Sequence, residues 1–267
     1  MAKGELEKSP FQERRDLIIR SLNDIIILQA FTRRGLKQVY DLVNSRSRKN
    51  VHFSVITASG KTAQLTRTKQ VAKELISKAK SQDIFAQSLI VTVALTEDYI
   101  QSVLREILLR HPQKLAINSA GKPFERNVSM EDVLEASSKR EILSRIIDRV
   151  LIGLSYKSPA DQFTYMEKVL SVRFDAETKE DYAEVKATRD IIVHNAGVVN
   201  DLYLEKAGTR ARAASGDLIP LDGAYFSKAI QCMKKLINSL HRQVIKKYNR
   251  DAPRPHGKLE SHCVGQR

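Results

Sequence analysis

Residues 187–201 read ATRDIIVHNAGVVND. Arg189, Asp190, His194 and Asn195 bracket a short apolar stripe, Ile191 to Val193. These side-chain types carry a definite chemistry. An arginine presents a fixed, permanently charged fork that matches a phosphate. A histidine exchanges protons near neutral pH. An asparagine supplies uncharged hydrogen bonds. Together they suit phosphodiester cleavage without a metal, the arginine taking up charge on the phosphate and the histidine moving a proton. The same residues also make an ordinary helix end, with His194 near the terminal carbonyls and Gly197 as the stop residue. Spacing alone leaves both readings open.

Helix geometry limits which of these groups can meet. Asp190 and His194 are four apart and share a face, so Asp190 is placed to orient the imidazole. Arg189 and His194 are five apart and rotated by about 140°. Arg189 must swing its long side chain to reach the same space.

Other patterns fail. ASGKT, residues 58–62, has the end of a phosphate-binding loop, but that pattern needs glycine five residues before Gly60 and Val55 occupies the position. Lys61 and Thr62 therefore read as part of a basic loop. Cys232 and Cys263 have neither CxxC spacing nor paired histidines, which argues against a zinc site. His52, His111, His241, His256 and His262 stand alone, and His111, before Pro112, reads as a helix C-terminal residue. No metal or cofactor is expected.

The elements that must position the site read as helices. Apolar residues at helical spacing predict a long N-terminal helix between Phe11 and Asn44, with Gly35 as a point where it can bend. VHFSVITASGKT reads as a connector or short extended segment. A second helical region is expected from about Thr66 to His111, ended by Pro112. Its centre, IFAQSLIVTVALTEDYIQSVLREILL, is apolar nearly all round and predicts the central helix of a bundle. Ser129, Glu131 and Asp132 open a helical stretch running through GLSY, and Ser158-Pro159 opens another. Further helices are expected from Glu177 to His194 and from Tyr225 to Tyr248. No alternating strand pairs or βαβ rhythm are visible. The fold class is all-α, an antiparallel helical bundle. Its expected parts are an N-terminal helical extension and connector (1–64), the bundle (65–249) and a disordered basic tail (250–267).

The 267 residues carry 45 basic and 31 acidic side chains, a net charge of +14. That balance favours polyanionic partners, nucleic acid first. The basic tail is open to two readings, a nucleic-acid contact or a solubilising segment. No signal-peptide core opens the chain and no uncharged apolar run reaches the ~18 residues of a membrane span, so a cytoplasmic protein without membrane contact is expected.

RDIIVHN, continued as AGVVNDLYL, resembles the signature of the HEPN superfamily. Arg189, the polar Asp190 and His194 after a four-residue gap fill its core positions. Asn195, Gly197, Val199 and Tyr203 match the extension HN-x-G-[VI]-V-[DN]-x-x-Y, which is similar to prokaryotic RNase-like toxins and defence proteins. The resemblance covers roughly residues 80–248 and leaves the N-terminal helix unaccounted for. It implies a helical bundle that forms a homodimer with a composite active site. It implies metal-independent endoribonuclease activity leaving a 2′,3′-cyclic phosphate, and an RNA substrate with an antitoxin or activating partner. Under it, His194 is the general acid/base and Arg189 binds the scissile phosphate. Asp190 orients His194 or Arg189. Asn195 fixes local geometry or contacts the phosphate. Tyr203 packs or holds the loop, with substrate contact as its alternative. Glu97 either pairs with Arg189 or faces solvent. The competing function is a non-catalytic nucleotide-binding, nucleic-acid-binding or assembly module.

Overall fold

The first helix, α1 (Pro10–Ser45), starts where Ser9 accepts a hydrogen bond from the Gln12 backbone N–H and Pro10 sets the first helical φ. It continues through Gly35 to Ser45 without interruption. The computed structural model describes residues 9–117 and 129–248. The basic tail lies outside these residues.

A hairpin follows, β1 (Asn50–Ile56) and β2 (Thr62–Thr68), paired antiparallel from Asn50↔Thr68 to Ile56↔Thr62. This corrects the expectation that no strand pair exists and that a helix begins at Thr66. Val51 is buried while most of the hairpin is exposed, so its alternation carries little apolar contrast. ASGKT belongs to its turn, where Gly60 takes a φ of 75°. Thr68 ends β2 and caps α2 (Lys69–Lys78) by accepting from the Val71 N–H.

A single π-helical turn, Ala79–Asp83, joins α2 to α3 (Ile84–Arg110). Helix α3 packs against α1 and against α5 (Lys139–Ser155), α6 (Pro159–Leu170), α7 (Ala176–His194) and α9 (Gly223–Tyr248). That central place is the one its all-round apolar sequence predicts. Leu89, Val93, Leu104, Ile107 and Leu108 are fully buried along it. They share one core with Leu22 of α1, Ile147 of α5, Val169 of α6 and Met233, Leu236 and Leu240 of α9. The first half of α1 thus belongs to the bundle core, while Val43 near its end joins a satellite cluster with Val51, Ala72 and Ile76.

The stretch opened by Ser129 is two helices rather than one, α4 (Met130–Glu135) and α5. Ser138 breaks it by capping α5, and Glu141 reaches back to the Ser137 N–H, a reciprocal capping arrangement that competes with a continuous helix. A short α8 (Asp201–Ala207), not expected from the sequence, follows α7 with Asn200 as its cap. The architecture is all-α apart from the hairpin. No helix among the described residues is long and apolar enough to cross a membrane.

Candidate active site

Lys186, Arg189 and Asp190 stand on α7 at i, i+3 and i+4, a spacing that lines side chains along one side of a helix. Across from them, α3 supplies Glu97. Its carboxylate pairs with Lys186 and accepts from Arg189 Nη2 at 2.8 Å. Arg189 Nη1 lies 3.3 Å from Asp190 Oδ1, and Lys206 of α8 places Nζ 3.1 Å from Asp190 Oδ2. Charges therefore alternate in a row: Lys186, Glu97, Arg189, Asp190, Lys206. The Lys186 side chain is 7% exposed and the other four lie between 20 and 25%. Pairs this sheltered are screened less by salt than surface pairs. Their effect is to hold the guanidinium in one orientation. Its Nε is buried without a hydrogen-bond partner.

Of Glu97's two expected positions, the structure takes the pairing with Arg189. Asp190 holds Arg189 and not His194. Its two oxygens are engaged by Arg189 and Lys206, so the four-residue spacing to His194 goes unused. His194 is the last residue of α7. It is exposed, and its ring has no hydrogen-bond partner among the described residues.

Asn195 fixes the turn. Its N–H donates to the Ile191 carbonyl at 2.9 Å and its side-chain amide donates to the Val198 carbonyl at 2.6 Å. The chain then makes two left-handed residues, Ala196 (φ 51°) and Gly197 (φ 80°), and the Gly197 N–H returns to Ile191 at 2.9 Å. This closure brings two N–H groups onto the Ile191 carbonyl in the last turn of α7. Ile219 N–H donates to the Gly197 carbonyl and Val199 N–H to that of Asp217, tying the turn to the loop before α9. A side chain at position 197 has space, since an added Cβ would lie 3.8 Å from Ile219. Its φ is the obstacle. Gly197→Ala is expected to destabilise the fold by about 1–2 kcal/mol, the cost of a left-handed non-glycine residue. Urea denaturation checks this, and an unchanged midpoint would refute it.

Arg189 and His194, on different faces of an ideal helix, open onto one cavity of about 530 Å³. The arginine reaches it along the helix side, and His194 reaches it because the helix ends there. Glu97, Lys186, Asp190 and Lys206 line the same space, and the end of α5 contributes Tyr156 and Lys157. Four basic side chains (Lys157, Lys186, Arg189, Lys206) face two carboxylates, which leaves the cavity positive. Such a surface draws anions inward.

Behind the cavity lies a buried polar cluster around Glu184 of α7. Glu184 Oε1 accepts from Thr188 at 2.7 Å, Tyr203 at 3.1 Å and Arg212 Nε at 2.7 Å, and Oε2 accepts from Tyr225 at 2.9 Å. The Arg212 guanidinium also stacks on the Tyr225 ring, 3.4 Å from its centroid. Burial, reinforced by the Glu184 carboxylate, raises the Tyr203 and Tyr225 hydroxyl pKa values, that of Tyr225 far above its usual range. Both stay protonated and donate. Tyr203 therefore holds the loop. Tyr203 also lines the cavity, and its hydroxyl donates to Glu184.

Sequence reasoning missed Lys186, Lys206, Tyr156 and the Glu184–Arg212 pair. Lys186 had a signal, three residues before Arg189 on the same side of the helix. Lys206 and Arg212 had none, because their positions depend on how the chain folds back after Gly197. His256, His262 and Cys263 lie outside the described residues, while His241 and Cys232 are structural. His241 sits between Tyr99 and Gln12, and burial, then nearby Arg15, lowers its pKa. Burial pushes the Cys232 thiol up to about 12, which leaves it unreactive. No group of side chains suited to a metal ion occurs among the described residues.

No protein-family model, curated protein or solved structure matches the chain.

Proposed function

We propose that the protein is an endoribonuclease that cleaves RNA by attack of a ribose 2′-hydroxyl, without a metal. The observation that carries this reading is the shared cavity. Arg189, oriented by two carboxylates, and His194, unbonded and open to solvent, face one positive space. In the proposed reaction His194 takes the proton of the 2′-hydroxyl through a neutral ring nitrogen. The 2′-oxygen bonds to phosphorus, and the bond from phosphorus to the 5′-oxygen breaks. The departing oxygen receives a proton from a protonated imidazole. The products are a 2′,3′-cyclic phosphate and a 5′-hydroxyl. Arg189 neutralises charge that builds on the phosphate oxygens during this exchange.

One imidazole per chain supplies one of these two proton transfers at a time. A homodimer that brings two Arg189/His194 sets together would supply both, as the resemblance to HEPN ribonucleases implies. The same resemblance gives the biological setting we propose, a toxin or antiviral defence effector held in check or released by a partner.

The test is cleavage of mixed RNA in EDTA, followed by end-group analysis. Cyclic-phosphate ends are expected. A substrate with a single 2′-deoxy nucleotide at a mapped cleavage site should resist cutting there. Cleavage at the deoxy position would exclude the 2′-hydroxyl mechanism. An absence of cleavage together with thermal stabilisation by a nucleotide would favour the non-catalytic binding module instead.

A further inference from the structure

Tyr156 is 86% exposed, and among the described residues it is the exposed tyrosine; the other seven are buried or half-buried. A large aromatic ring left in water at a helix end has lost the burial that normally stabilises it. Its position is not casual. Tyr156 caps the C-terminus of α5 and lines the cavity that Arg189 and His194 share.

The turn that presents it is held from inside. Gln162, 8% exposed, sends its side-chain amide to three carbonyls, those of Leu154 at 3.1 Å, Ser155 at 3.4 Å and Lys157 at 3.1 Å. The Lys157 N–H closes the same turn on Leu154 at 3.0 Å. A buried polar side chain is thus spent on fixing the backbone on both sides of Tyr156. The ring itself has no hydrogen bond among the described residues. Leu202 of α8, 54% exposed, adds an exposed aliphatic side chain to the cavity lining. An aromatic ring presented from a fixed turn beside a positive groove is the combination that binds single-stranded nucleic acid, one stacking a base and the other tracking phosphates.

We infer that Tyr156 is a stacking platform for an unpaired base next to the scissile phosphate, so that the substrate is single-stranded RNA. The inference rests on the ribonuclease reading of the cavity. A base paired in a duplex keeps its faces covered by its neighbours and cannot lie on the ring. Selection for unpaired RNA follows from the platform, while Arg189 and the lysines contact phosphate in any strand.

The test uses a short single-stranded 2′-O-methyl RNA carrying 2-aminopurine, which binds but cannot be cut because its nucleophile is blocked. The wild-type protein should quench the 2-aminopurine fluorescence on binding. Tyr156→Ala should lose the quench and bind about 5- to 150-fold more weakly, the range that removal of a stacked aromatic produces. Tyr156→Phe, which keeps the ring, should retain both. The exposed, unbonded ring makes the variant's melting temperature a direct check that the fold is intact. If Tyr156→Ala binds and quenches like wild type while Arg189→Ala binds more weakly, the platform is wrong and the site reading stands. If neither substitution changes binding, the site reading falls and the platform with it. A matched duplex that binds as tightly as the single strand would also overturn the platform.

Discussion

His194→Ala should melt at the wild-type temperature and cleave RNA about 10²–10⁴-fold more slowly, the contribution of a positioned acid–base group. Both halves of that expectation come from the same geometry. The ring is exposed and makes no hydrogen bond among the described residues, so nothing in the fold depends on it. Substitutions of that kind usually stay within about 0.5 kcal/mol of the parent. Single-turnover cleavage in EDTA, read beside a thermal melt, separates lost chemistry from lost structure. A folded His194→Ala protein that cuts at the wild-type rate would remove His194 from the mechanism. Asp190→Asn provides the contrast. Asp190 grips Arg189 and Lys206 rather than His194, so its loss should disturb phosphate binding and leave proton transfer in place.

Glu184→Ala should strongly destabilise the fold. Glu184 is 5% exposed, and its carboxylate answers four donors at once. Its removal leaves the Arg212 charge sheltered without its counter-ion and strands two tyrosine hydroxyls. Breaking a buried ion pair from one side costs about 3–5 kcal/mol. The shift is read from urea denaturation. The companion measurement is the double variant Glu184→Leu with Arg212→Leu, which removes both charges and should be less destabilised than Glu184→Ala. A Glu184→Ala midpoint within about 0.5 kcal/mol of wild type would mean that the cluster is replaced by water at little cost. Activity should fall with stability, because Tyr203 and Arg212 anchor the segment that carries Lys206 to the cavity.

The helices were legible in the sequence wherever a continuous apolar stripe ran for several turns, as in α1, α3 and α9. Helix α7 was legible for a different reason, its polar trim and its stop at Gly197. The hairpin was not, because Val51 is its one fully buried residue and exposed strands carry no two-residue rhythm of hydrophobicity. The break between α4 and α5 was hidden because Ser137, Ser138 and Glu141 can sit inside a helix as well as cap one. In the site, Arg189, Asp190, His194 and Asn195 are adjacent in sequence, so a local reading finds them. What a local reading cannot supply is the choice of partners. Asp190 had a histidine four residues away and an arginine beside it, and only the return of α8 with Lys206 settles where its oxygens point. Tyr156 and Glu184 come from contacts between distant segments and leave no local trace.

The packing of α1 on α9 bears on the order in which the chain can mature. Gln12 meets His241 at 2.9 Å and Arg15 meets Asn238 at 3.0 Å, so groups more than two hundred residues apart close one wall of the core. A chain emerging from the ribosome cannot make those contacts until residues 223–248 have been synthesised, and long-range closure of this kind is slow compared with helix formation. Until then α1 and α3 lack their last apolar neighbour. Helix α7 packs against the same helix, so the groove holding Arg189 and His194 gains its backing only once residues 223–248 have been made.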